Sequence, residues 1–147
     1  MEESISLLSQ IKMSFGLKEV DIRTYSPLTL AYIGDGIYEL VVRTIVVQMG
    51  NAPVNKLNKK TIQYVKAPAQ AQIAQGLLEE FTPEELAVYK RGKNAKPYSV
   101  AKNATLGEYK SATGLEALMG YLYLTDQMER ALALMKIGLH KIEEKEA

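Results

Sequence analysis

Apolar residues recur along the chain at three- and four-residue spacings, the period of one face of an α-helix. Ile5, Leu8 and Ile11 predict a short first helix with Glu2 and Glu3 in its first turn, where acids complement the helix dipole. Residues 21–27 read as a connector. Ser26-Pro27 supplies a cap and a proline at the first helical position, and the helix it opens runs to about Met49, where Gly50-Asn51 stops it. Val41, Val42, Ile45, Val46 and Val47 would also suit a buried strand, but no turn signal separates them from Gly34-Asp35-Gly36. The pattern therefore predicts one long, mostly buried central helix.

Pro53 opens a further helix to about Lys66, with Val54, Leu57, Thr61, Tyr64 and Val65 on one face and Lys56, Lys59, Lys60 and Gln63 on the other. Pro68 begins an alanine- and glutamine-rich helix ending near Glu80. Thr82-Pro83-Glu84-Glu85 combines cap, proline and first-turn acids, and its helix reaches about Arg91. Residues 91–107 have loop composition. Glu108 to Leu124 is helical, a last helix spans about Asp126 to Lys141, and the polar tail beyond it is expected to fray. No repeat or linker interrupts the series. The expectation is an all-α fold in one domain covering 1–147.

Composition adds exclusions. The chain has 147 residues, 47% hydrophobic and 24% charged, enough for one domain with a proper core. It has no cysteine, which excludes disulfides, thiol catalysis and thiolate zinc sites. MEESISLLSQ begins acidic and lacks a basic segment followed by an apolar run, so no secretory leader is expected. The longest apolar stretch, around Leu40 to Met49, contains Arg43 and is too short to cross a bilayer. A soluble, cytoplasmic protein without membrane contact is the expectation. The net charge of +1 says nothing of an anionic partner, but the distribution does: residues 40–107 hold ten bases against four acids, between acidic ends.

Two acids sit in apolar surroundings: Asp35 in 30-LAYIGDGIYEL-40 and Glu116 in 113-TGLEALMGYLYL-124. Glycines beside them let helix backbones approach, so the two carboxylates could meet in the core. Like charges there cannot both stay ionised without something positive between them. A divalent cation answers this, and oxygen ligands suit Mg2+ or Mn2+. The competing reading, equal on spacing alone, gives each acid a nearby base such as Arg43 or leaves it partly exposed. Glu39, one turn after Asp35, is either a further ligand or the partner of Arg43.

The stretch 90-KRGKNAKPYSVAKN-103 carries Lys90, Arg91, Lys93, Lys96 and Lys102 with no acid, and Asn94 adds a polar contact. Such a loop suits phosphate contacts or is simply a solvated surface. Together with Lys56, Lys59 and Lys60 it suggests a basic track, which fits a nucleic-acid backbone better than a small anion. His140 is a lone histidine near a helix end, and no glycine-rich phosphate loop is present.

Taken together, 30-LAYIGDGIYELVVR-43 and 113-TGLEALMGYLYLTD-126 resemble the two signature helices of the ribonuclease III family. The likeness covers nearly the whole chain and leaves no room for the double-stranded-RNA-binding domain that usually follows. It is similar to the compact Mini-ribonuclease III type, which trims large-subunit ribosomal RNA precursors. The resemblance implies that Asp35 is the catalytic aspartate and Glu116 a metal-ligating glutamate. It further implies magnesium or manganese as cofactor, 5′-phosphate products, and a homodimer whose two sites each cut one strand of duplex RNA. Two acids of the family pattern are missing: Leu28 stands seven residues before Asp35, and Thr113 three before Glu116. Those losses keep a second reading open, a non-catalytic RNA-binding or ribosome-assembly module on the same fold. A helical scaffold with no nucleic-acid role is a third, opposed by the segregated charge.

Overall fold

The computed structural model describes residues 5–96 and 104–146. Within them lie seven α-helices, one short 3-10 turn and no strand. They are α1 (Leu7–Phe15), α2 (Pro27–Gln48), α3 (Val54–Val65), α4 (Ala67–Leu77), α5 (Pro83–Asn94), α6 (Leu106–Leu124) and α7 (Met128–Glu146). The 3-10 turn, Ile22–Thr24, occupies the predicted connector.

Local signals account for most boundaries. Ser26 caps α2 by accepting from the Thr29 N–H, with Pro27 in the first turn. Thr82 and Glu85 form a reciprocal capping box at the start of α5. A second box, Thr105 with Glu108, starts α6 at Leu106, two residues before the expected start. Ser6 caps α1 at Leu7, so its first turn carries no acid; Glu2 and Glu3 lie outside the described residues. α5 continues to Asn94 through part of the predicted loop. Gly92 is the reason: it is buried, and a Cβ there would lie 2.7 Å from the Ala117 Cβ and 3.0 Å from the Gly114 Cα. Packing against α6 thus carries the helix past the point where composition suggested a stop. α7 likewise continues beyond Lys141, because Ile142 is buried and the Lys141 ammonium donates to the Gly76 carbonyl of α4. Its start falls at Met128, since Asp126 takes a positive φ of 59° in the turn from α6.

The centre of the domain is α6, not α2. Ser111 to Leu115, Ala117 to Gly120, Leu122 and Tyr123 are buried on all sides of α6, the condition of a helix enclosed by others. α2, α4 and α5 pack around it, and α7 packs on α4. α2 buries one face through Leu30, Ala31, Gly34, Ile37, Tyr38, Val42 and Val46, and keeps the other in solvent, with Tyr32 82% exposed. The core joins Tyr38, Ile73, Leu77, Tyr89, Leu115, Leu118, Leu122 and Leu134. No described helix is long and apolar enough to cross a membrane.

Candidate active site

α2 and α6 touch backbone to backbone. A Cβ at Gly34 would overlap the Glu116 carbonyl and lie 2.7 Å from the Gly120 nitrogen; one at Gly120 would overlap the Leu30 carbonyl. Only glycine at both positions allows so close a crossing. The residue after Gly34 is Asp35, and the residue one turn before Gly120 is Glu116. The crossing therefore sets the two carboxylates face to face. It does so at the rim of the helix pair and not in the core: Asp35 is exposed and Glu116 half-buried.

Glu116 feels its surroundings strongly. Burial, then the charge of Asp35, then a hydrogen bond shared with Asp35 push its carboxyl up to about 8, against an ordinary 4.5. The Gln70 amide opposes this, and among the described residues no cation acts on the group. Gln70 reaches in from α4, is 3% exposed, and donates from Nε2 to the Val65 carbonyl at 2.8 Å and to Glu116 Oε2 at 3.4 Å. Its Oε1 is buried without a hydrogen-bond partner. The Tyr38 hydroxyl donates to the Tyr64 carbonyl, and burial and then the Glu116 charge drive its ionisation well above the usual range.

Two facing carboxylates at an opening, with nothing positive among the described residues to offset them, fit one hard divalent cation completed by water. Among the described residues no third histidine, cysteine or acid joins them in a metal-holding group. Glu39 instead accepts from Arg43 at 3.2 Å on the outer face of α2. Leu28 is 41% exposed, and the buried Thr113 hydroxyl donates to the Tyr109 carbonyl of its own helix. Neither residue replaces the acid missing from its position.

Lys56, Lys59 and Lys60 project from the exposed face of α3, while Thr61 is buried and Leu57, Tyr64 and Val65 are partly so. Val54, expected with them, is 70% exposed. Lys90, Arg91, Asn94 and Lys96 are exposed and Lys93 half-exposed at the end of α5 and just beyond it. None of these cations is in an ion pair among the described residues. Lys102 lies outside the described residues. Gln70 and Tyr38 were not singled out by sequence reasoning. For Gln70 a signal existed: it lies three and four positions before Ile73 and Ala74, a polar residue on the buried stripe of its helix.

Two long helices thus cross on glycines, each lending one carboxylate to a shared opening of an all-helical domain. Residues 28–127 match the Ribonuclease III domain model, and the chain belongs to the ribonuclease III family. Members are endoribonucleases that act on double-stranded RNA and depend on divalent cations, and this chain is an endoribonuclease by that membership. The chain is 44% identical over 125 residues to Mini-ribonuclease 3 of Clostridium tetani, covering 84% of this chain and 83% of that one. It is 44% identical over 126 residues to Mini-ribonuclease 3 of Enterococcus faecalis, covering 84% and 96%. A crystal structure of a Fusobacterium nucleatum protein superposes with a TM-score of 0.75 at 35% identity, over 81% of this chain and 97% of that one.

Proposed function

We propose that the chain is a magnesium-dependent endoribonuclease whose single domain cuts double-stranded RNA at the Asp35–Glu116 pair. In this reading it works in the cytoplasm on large-subunit ribosomal RNA precursors, as a homodimer. The observation that carries the assignment is the meeting of those carboxylates across the α2–α6 crossing, with no described cation to neutralise them. Mg2+ or Mn2+ bound there would supply a water of lowered pKa and positive charge against the phosphate. Asp35, open to solvent, is the group a phosphate backbone meets first. Glu116, recessed behind it, is held by its own helix and by Gln70. Lys56, Lys59, Lys60, Lys90, Arg91, Lys93, Asn94, Lys96 and Lys102 are assigned to the RNA backbone, because side chains read A-form duplexes by shape and phosphate and not through the narrow major groove. The ribosomal substrate rests on likeness to the compact Mini-ribonuclease type. The dimer rests on that likeness and on an uncovered apolar groove lined by Leu8, Ile37, Leu40, Leu132 and Met135.

The test is cleavage of labelled duplex RNA by the purified chain, with Mg2+ or with chelator. Metal-dependent cuts are expected from the native protein. Asp35→Asn should lose activity by orders of magnitude while keeping its helical signal and melting temperature. Near-native cleavage by that variant would falsify the assignment. Salt-dependent duplex binding without any cleavage by the native chain would select the assembly-module reading.

A further inference from the structure

We propose that Gln70 is a positioning residue for the carboxylate pair: its amide nitrogen fixes the Glu116 carboxylate in the orientation a shared cation would need. The inference rests on the reading that Asp35 and Glu116 hold a cation, and goes beyond it to a residue of α4.

Gln70 is a neutral side chain buried to 3% exposure, two helices away in sequence order from both α2 and α6. Its two amide hydrogens are both committed. One goes to the Val65 carbonyl at 2.8 Å, which anchors the side chain on the last residue of α3. The other goes to Glu116 Oε2 at 3.4 Å. Both acceptors are oxygens, so the amide has one sensible orientation, and turning it over would set oxygen against oxygen twice. That orientation leaves Oε1 buried with no hydrogen bond. An amide nitrogen and oxygen are about 2.3 Å apart by standard geometry, so Oε1 lies within roughly 6 Å of the Glu116 carboxylate. A buried amide oxygen without a partner is uncommon in native proteins, and ordered water is the usual remedy.

The site also has a need for such a residue. Leu28 and Thr113 contribute no charge, so two carboxylates must do what a larger acid cluster would do. Affinity then depends on how well those two are aimed. Gln70 occupies one Glu116 oxygen with a dipole that adds no charge, leaving the other for the ion. Groups that orient metal ligands typically change affinity 10- to 100-fold when removed.

A purely structural role competes with this one, since Gln70 also closes the α3–α4 corner. The experiment separates them by measuring Mn2+ binding to RNA-free protein, from the electron paramagnetic resonance signal of the unbound ion. Native chain, Asp35→Asn, Gln70→Met and Ile73→Val are compared. Ile73 is buried on the same helix, so its variant loosens α4 without touching the pair. Gln70→Met keeps the size and unbranched shape. The expected result is a loss of Mn2+ affinity of about 10- to 100-fold in Gln70→Met, with native affinity in Ile73→Val. Gln70→Asn, which keeps the amide but stops one methylene short, should lose affinity in the same sense and serves if Gln70→Met does not fold. Native Mn2+ affinity in the Gln70 variants, beside a loss in Asp35→Asn, overturns the role of Gln70 alone. A native chain that binds no Mn2+, or an Asp35→Asn chain that binds it as well as native, overturns the cation site and this inference with it.

Discussion

At the scale of single residues, Glu116 offers the sharpest pH test. Its carboxyl is raised to about 8 by burial first and by Asp35 second. A carboxyl raised in the folded state contributes stability that is full below its unfolded value and is lost as pH climbs through the folded one. In chelator, melting temperature should therefore fall as pH rises from about 4.5 to about 8, and Glu116→Gln should flatten that part of the curve. Matching curves for the two proteins would show that Glu116 is not strained by its neighbour. Asp35 and Glu116 were legible as acids among apolar residues. Their depth was not, because hydropathy windows average over a helix that is wet on one side, and Asp35 stands at the exposed rim where that side meets α6. Glu39 had two readings, and its carboxylate lies with Arg43. Gln70 escaped notice because a glutamine in an alanine-rich helix looks solvated until the opposite helix is in place.

At the scale of elements, the α2–α6 crossing decides whether a site exists. Gly34→Ala should destabilise the protein by more than about 3 kcal/mol, since the methyl meets the Glu116 carbonyl and no flexible side chain can yield. Chemical denaturation measures this, and a loss below about 1 kcal/mol would mean that the helices part easily. The Glu85–Arg130 tie is a second element-level device. Arg130 donates to both Glu85 oxygens, at 2.8 and 2.9 Å, and to the Glu80 carbonyl, joining α7 to the start of α5. Those bonds, with the Arg130 side chain foremost, hold the Glu85 carboxyl below its usual range. Arg130→Met should cost about 1.5–3 kcal/mol, the worth of hydrogen bonds to a charged group. Helix starts were the most readable features, because capping is local: Ser26, Thr82 and their prolines stand where expected. The order of burial was less readable. Six small or apolar neighbours around Glu116 and the apolar stretch of α2 interrupted only by Arg43 and Thr44 look equally central in sequence, and only tertiary packing puts α6 inside.

At the scale of the whole molecule, the positive middle of the sequence becomes two exposed basic places, the outer face of α3 and the end of α5. If these grip phosphates, Arg91→Ala with Lys93→Ala should weaken binding alike for every duplex sequence. The logarithmic salt slope should shrink by about one unit or less per lost contact. Duplex binding over a salt series, with Asp35→Asn blocking cleavage, is the measurement; an unchanged slope would make these residues a solvated surface only. Both places were visible in composition, although α5 extends through Asn94 and turns the start of the expected loop into helix.

The glycine contact between α2 and α6 also has a consequence in time. Asp35 and Glu116 stand eighty-one positions apart, and closing so long a loop comes late compared with winding helices, which form in about a microsecond. A refolding chain should regain its helical signal before it can cut RNA, so catalytic competence reports the final docking step. Stopped-flow refolding followed in parallel by circular dichroism and by quenched cleavage would see the lag, and Gly34→Ala should lengthen it.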